Sequence, residues 1–153
     1  MRPGTDADRR PLAELFAAVA EERDGIASEP PIDVDARAEM WDITGCFVAD
    51  AGGEIVGSIN VQASRHGFGE IGMEVARAWR GRGVGSALMA RAVAWAREQG
   101  LHKLSLSVFP HNTAGIALYE KYGFVVEGRR VRQYRRQSGE QWDAIDMGLL
   151  LDD

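Results

Sequence analysis

The residues with the clearest chemical potential lie in one turn, Arg80-Gly81-Arg82-Gly83-Val84-Gly85, followed by Ser86. Glycines at alternate positions let a backbone pass close to a ligand, and these stand directly ahead of the most regular helical pattern in the chain. The amides that open a helix have no intrahelical acceptor and carry partial positive charge, so an anion is favoured there. Arg80 and Arg82 add full charges and Ser86 a hydroxyl, a convergence that suits a pyrophosphate better than a single carboxylate. A turn that only tightens a strand-to-helix connection would use the same glycines. Two nucleotide motifs are excluded: no lysine follows Gly85, as a Walker loop needs, and Gly83-x-Gly85 runs on into Ser86, Ala87 and Leu88 instead of reaching a third glycine.

Other reactive side chains are few. Cys46 is the single cysteine, so an internal disulfide and a multi-cysteine metal site are both excluded, and no neighbouring His or basic residue marks it as an activated thiolate. His66, His102 and His111 have no metal-ligand spacing; His66 and His111 lie where a loop could bring them to a site, whereas His102 sits in a turn. Glu70 and Glu74 share one strand face by alternation and are the carboxylates available for proton transfer, with Glu70 preferred; ordinary solvated or salt-bridged strand carboxylates would follow the same pattern. Arg129, Arg130, Arg132, Arg135 and Arg136 could grip an acidic substrate or a ribose phosphate, or could form a solvated hairpin face.

Periodicity supplies the frame that positions these groups. Leu12, Leu15, Phe16 and Val19 recur at helical spacing, and Asp33 or Asp35 caps a second helix running through Met40 and Trp41, with Glu29-Pro30-Pro31 as the connector. From Cys46 the period becomes that of strands: a hairpin turning at Gly52-Gly53, then a strand from Glu70 to Ala76. Val84, Leu88, Ala92 and Trp95 form the apolar stripe of the next helix, with Gly100 at its end. Leu104 to Phe109 alternates as a strand, Asn112 or Thr113 caps a helix that reaches Tyr122, and two further strands turn at Ser138-Gly139. This order predicts an α/β fold: a mixed, largely antiparallel sheet carrying helices.

A chain of 153 residues has the size of one domain, and 45% hydrophobic against 27% charged residues is globular composition, so residues 1–153 are read as a single domain. No stretch approaches the ~20 uncharged apolar residues of a membrane span, and Met1 to Asp6 has no apolar signal core, which predicts a cytoplasmic protein without membrane partners. The net charge of −5 argues against nucleic-acid binding. Residues 1–45 hold 11 acids against five arginines, so the front is acidic and would draw cations, as would any solvated helix face.

The turn resembles the signature Gln/Arg-x-x-Gly-x-Gly/Ala of the GCN5-related N-acetyltransferase (GNAT) superfamily, met by Arg80, Gly83 and Gly85. Met73-Glu74-Val75 resembles that family's central strand, Asn112 to Phe124 is similar to its second cofactor segment, and Arg2-Pro3 to its first strand, here shortened. The likeness covers Phe47 to Leu151 and implies a sheet of about six to seven strands with helices on both faces. It also implies acetyl coenzyme A as co-substrate, with Met73, Glu74 and Val75 beside the pantetheine arm at a splay between strands. Arg80, Gly81, Arg82, Gly83, Val84, Gly85 and Ser86 would hold the pyrophosphate, and Asn112 would meet the cofactor, alone or together with a capping role. By the same resemblance Tyr119 would be the tyrosine that protonates the departing thiolate, while helical spacing places Tyr122 on the apolar face.

An amine attacks a thioester only when neutral, and a lysine-type amine has a pKa of ~10.4, so some group must take up its proton. Direct transfer without a protein nucleophile is the simpler route, and no metal is expected. Glu127-Gly128, Asp143 and Met147 lie in a tail similar to that of small bacterial acetyltransferases acting on amino acids and phosphinothricin-like analogues. The acceptor is therefore read as a small-molecule amine; a protein amino terminus or lysine, and a non-catalytic acyl coenzyme A sensor, are the alternatives. Pairing into a homodimer is left open.

Overall fold

The computed structural model describes residues 1–152. Strands β1 (Arg2–Pro3), β2 (Cys46–Ala51), β3 (Glu54–Ala63), β4 (Phe68–Val75), β5 (Lys103–Val108), β6 (Val125–Arg135) and β7 (Gln141–Leu150) form one sheet in the order β1-β2-β3-β4-β5-β7-β6. Every neighbouring pair is antiparallel except β4 and β5. Helices α1 (Arg9–Glu21) and α2 (Val34–Met40) lie in the front of the chain, α3 (Val84–Glu98) connects β4 to β5, and α4 (Thr113–Lys121) follows β5. This is the mixed, largely antiparallel architecture expected, with seven strands.

Alternation along the strands gives the sheet two apolar faces. Cys46 and Val48 pack beneath Leu12 and Phe16 of α1 and Trp41 at the end of α2. On the opposite face Phe47, Ile59, Val61 and Leu104 meet Leu88, Met89 and Ala92 of α3. Ile59, Leu88 and Leu104 are fully buried, each stabilising by about 2–3 kcal/mol relative to exposure. Helices thus cover both faces.

The ends of the elements follow local chemistry. The Asp33 carboxylate accepts from the Ala36 amide at 3.1 Å, fixing the start of α2. Trp41 is not helical: its backbone turns extended (ψ 118°), which lets its ring meet Phe16 edge-on at 6.1 Å. β4 begins two residues before the expected Glu70, because Phe68–Glu70 pair with Lys103–Ser105. β1 is short, yet anchored: the Arg2 guanidinium forks onto Asp8 at 2.7 and 2.9 Å and also reaches Asp50. β6 is an edge strand, exposed along nearly its whole length and irregular between Arg130 and Tyr134, where Arg132 adopts φ 54°.

Candidate active site

The site arises from a mismatch between two strand pairings. β3 and β4 are paired throughout, from Gly57–Val75 to Ala63–Gly69, but β4 and β5 are paired only at Phe68–Lys103, Gly69–Leu104 and Glu70–Ser105. Beyond Glu70 the two strands part, leaving Ile71–Val75 without a ladder partner on that side. The opening is a cleft of about 570 Å³ whose walls include Met73, Glu74 and Val75 on one side and Asn112 and Tyr119 on the other.

The glycine turn forms the end of this cleft. Gly81 and Gly83 have φ of 73° and 85°, a left-handed conformation that costs a side-chain-bearing residue about 1–2 kcal/mol. Among the described residues, and apart from each glycine's own chain neighbours, no atom stands within 4 Å of where a Cβ would sit on either residue, so the turn is open. The first backbone bond of α3 runs from the Ala87 amide to the Gly83 carbonyl at 3.1 Å, which leaves the amides of Val84, Gly85 and Ser86 ahead of it. No side chain caps this helix start. Uncapped amides, the helix dipole and an open turn meet the requirements of a phosphate.

Of the residues expected to touch a cofactor, Met73, Glu74, Val75, Arg80, Gly81, Gly83, Val84, Gly85, Ser86, Asn112 and Tyr119 all border the cleft. Arg82 does not; its guanidinium stacks over Trp79 at 4.3 Å. Arg80 is at the rim, but both its terminal nitrogens bond the Glu22 carboxylate at 2.5 and 2.8 Å while its Nε donates to the Val75 carbonyl. Its charge is shared with the end of α1 instead of being free for a ligand. Asn112 caps α4, its Oδ1 accepting from the Gly115 amide at 3.0 Å, and the residue also lines the cleft.

The two tyrosines of α4 differ in environment. Tyr122, half-buried, packs against the core as helical spacing predicts, and its hydroxyl also donates to the Ser86 carbonyl at 2.7 Å and shares a further bond with the Ser86 hydroxyl at 3.0 Å. It ties α4 to the first turn of α3. Tyr119 faces the cleft and packs on Phe124; burial, and then the charge of Glu74, push its phenol up to about 12.

Glu74 is the unusual carboxyl. Only 9% exposed, it accepts from the Ser58 hydroxyl at 3.0 Å. Burial pushes it up to about 7, with the Ser58 bond and the Arg37 charge pulling the other way. It borders the cleft and also a second cavity of about 360 Å³ between α2 and the outer ends of β3 and β4, so it stands where the two meet. Glu70, the carboxylate preferred from sequence, is exposed on the wall of the second cavity, four residues and about 13 Å of strand from Glu74. Nothing in the sequence marks Ser58 or Arg37, which reach Glu74 only across a strand pair and from a separate helix.

The remaining reactive groups are occupied. His111 lines the cleft, where its Nε2 donates to the Asp24 carbonyl at 2.7 Å and its ring stacks on Phe109. The Cys46 thiol is buried and pushed up by that burial, as an inert core thiol should be. In the arginine-rich tail Arg129 pairs with Asp143 and Arg130 with Asp146, each at 2.7 Å. Arg136 is buried, donating to the Ala27 and Arg23 carbonyls and stacking on Trp142 at 4.4 Å. Among the described residues no cluster of metal ligands forms, and no helix is long and apolar enough to cross a membrane.

Comparison with known proteins places this geometry. Residues 12–124 match the model of the acetyltransferase (GNAT) family. The L-amino acid N-acetyltransferase AaaT of Escherichia coli K12 is 31% identical, over 74% of this chain and 70% of that protein. An L-methionine sulfoximine/L-methionine sulfone acetyltransferase of Pseudomonas aeruginosa is 29% identical, over 83% and 80% of the two chains. The crystal structure of the ribosomal-protein-alanine N-acetyltransferase from Brucella melitensis superposes with a TM-score of 0.89 at 26% identity, covering 98% of each chain. With the splayed strands, the open glycine turn and the family model all falling on the same residues, the chain belongs to the GNAT family of N-acetyltransferases.

Proposed function

We propose that the protein transfers the acetyl group of acetyl coenzyme A directly to the amine of a small molecule such as an amino acid, the two substrates entering from the two cavities that meet at Glu74. The carrying observation is that junction: one buried carboxyl, held near neutrality, borders both spaces. The residues present fit the cofactor. The amides of Val84, Gly85 and Ser86 and the open turn at Gly81 and Gly83 suit its pyrophosphate, the unpaired edge at Met73 to Val75 suits its amide-bearing arm, and Asn112 faces them.

Acetyl coenzyme A, when bound, supplies a thioester whose carbonyl carbon a neutral amine attacks and whose thiolate departs. The chain's own groups handle the protons. Glu74 takes the proton of the incoming ammonium, directly or through one water, and returns it to solvent through the second cavity; a base poised near 7 suits that task. Tyr119 serves the departing sulfur. Its phenol at about 12 lies some 3.5 units above a thiol of about 8.5, so full proton transfer would run uphill by ~5 kcal/mol. Tyr119 therefore stabilises the thiolate by donating a hydrogen bond while keeping its proton. Glu70 stays at the entrance of the acceptor cavity, where it attracts cations.

Relatives that act on amino acids and their analogues support a small acceptor. Thiol release from acetyl coenzyme A, measured over free amino acids, polyamines and amino-terminal peptides, tests the reading. Turnover confined to peptides would move the assignment to protein acetylation, and binding without release from any amine would end it.

A further inference from the structure

We infer that Arg37 reads the carboxylate of the acceptor, so that the second cavity accepts an α-amino acid with a free carboxyl group rather than any small amine. This rests on the acetyl-transfer reading above. The cavity of about 360 Å³ is lined by three acids, Asp42, Glu70 and Glu74, and by one base, Arg37. The Arg37 guanidinium lies 3.7 Å above the centre of the Phe16 ring and 5.2 Å from that of Trp41. It is half-buried, and among the described residues no carboxylate stands within ion-pair distance of it.

The guanidinium lies over the Phe16 ring and beside Trp41, with no acidic acceptor among the described residues for its N–H groups, an arrangement matched to a carboxylate. None of the tail arginines lines this cavity, and Arg129, Arg130 and Arg136 are paired with Asp143, Asp146 and Glu29. Glu74 supplies the complementary end of the cavity. An α-amino acid carries its amine and its carboxylate on one carbon, so a small space with a carboxyl on one wall and a guanidinium on another can read both. The amino-terminal residue of a peptide presents an amide where Arg37 expects an anion. Asp42 and Glu70 further disfavour a second carboxylate, so neutral and basic amino acids should be preferred over acidic ones.

The test compares a free neutral L-amino acid with its own carboxamide, in wild type and in Arg37→Gln and Arg37→Lys. The readout is the ratio of kcat/KM for acid over amide; comparing that ratio between proteins cancels the difference in amine basicity. Removing a charge-assisted, two-point contact should lower the ratio by about 10- to 100-fold in Arg37→Gln, chiefly through KM for the acid. Because the Arg37 charge also acts on Glu74, removing it alters the base for both substrates alike, a change that the ratio divides out; the Kd of acetyl coenzyme A should stay at its wild-type value, which also shows that the variant is folded. Arg37→Lys should recover only part of the ratio, because an ammonium is not a planar fork. An unchanged ratio in Arg37→Gln overturns the assignment of Arg37 and leaves acetyl transfer standing, as does indifference of the wild type between acidic and neutral amino acids. Absence of thiol release from both substrates in the wild type would overturn the acetyl-transfer reading and this inference with it.

Discussion

Replacing Glu74 by Gln should make the protein more stable and less active at the same time. Burial lifts the Glu74 carboxyl from 4.5 to about 7, so the folded state binds a proton more tightly than the unfolded state does. Well below pH 4.5 both states are protonated and nothing is lost. As pH rises, the unfolded chain releases this proton first, so stability falls until the folded carboxyl also ionises near pH 7, and then levels off. The accumulated penalty is about 1 kcal/mol at pH 5 and ~3 kcal/mol at pH 8. Gln cannot ionise, yet its amide oxygen can still accept from the Ser58 hydroxyl as Glu74 does at 3.0 Å. Glu74→Gln should therefore gain ~3 kcal/mol at pH 8, or about 6–12 °C in Tm, and much less at pH 5. Urea unfolding at both pH values, followed by circular dichroism, measures the difference. A gain of equal size at both pH values, or no gain at pH 8, would refute the buried and raised carboxyl. Loss of stability at pH 8 would refute it more strongly.

Two further outcomes follow from other parts of the molecule. Tyr119→Phe removes the donor to the departing sulfur and should lower kcat by about 100-fold with little change in the Kd of acetyl coenzyme A; steady-state kinetics with undiminished kcat would take Tyr119 out of the mechanism. Asp8 is held down to about 2, first by the Arg2 guanidinium, so its contribution is present above its ordinary value of 3.8 and is lost as pH falls towards 2. Asp8→Asn should cost about 1–2 kcal/mol at pH 7, a figure reduced because Arg2 is partly in water, and the cost should shrink between pH 4 and pH 2 in denaturant titrations.

The parts of this fold that were legible in the sequence are those governed by local periodicity and by glycine. The stripe of Leu88 and Ala92 that marks α3 is the stripe it buries, and of the turn's glycines Gly81 and Gly83 have positive φ and open space, while Gly85 lets Leu118 of α4 approach to 3.2 Å of where a Cβ would stand. Asn112, Val75 and Ser86, which the family resemblance singles out, line one cleft. What stayed hidden depends on partners distant in the chain. Glu74 and Glu70 are indistinguishable by alternation, and what separates them is Ser58 on the neighbouring strand and Arg37 on α2. Arg80 reads as a phosphate ligand until Glu22, 58 residues earlier, is seen to hold it. Spacing places the Tyr122 ring against the core but does not show the Ser86 carbonyl that its hydroxyl reaches. β6 was legible from the turn at Ser138-Gly139 and not from its own periodicity, because an exposed edge strand rich in arginine has no buried face to alternate with.

If donor and acceptor occupy their two cavities together and meet at Glu74, transfer passes through a ternary complex. Initial rates measured with acetyl coenzyme A and an acceptor amino acid varied together test it most directly. The two cavities predict intersecting double-reciprocal lines and no acetyl group left on the protein when the amine is withheld. Parallel lines, with an acetylated enzyme that passes its acetyl group to added amine, would contradict direct transfer at this junction.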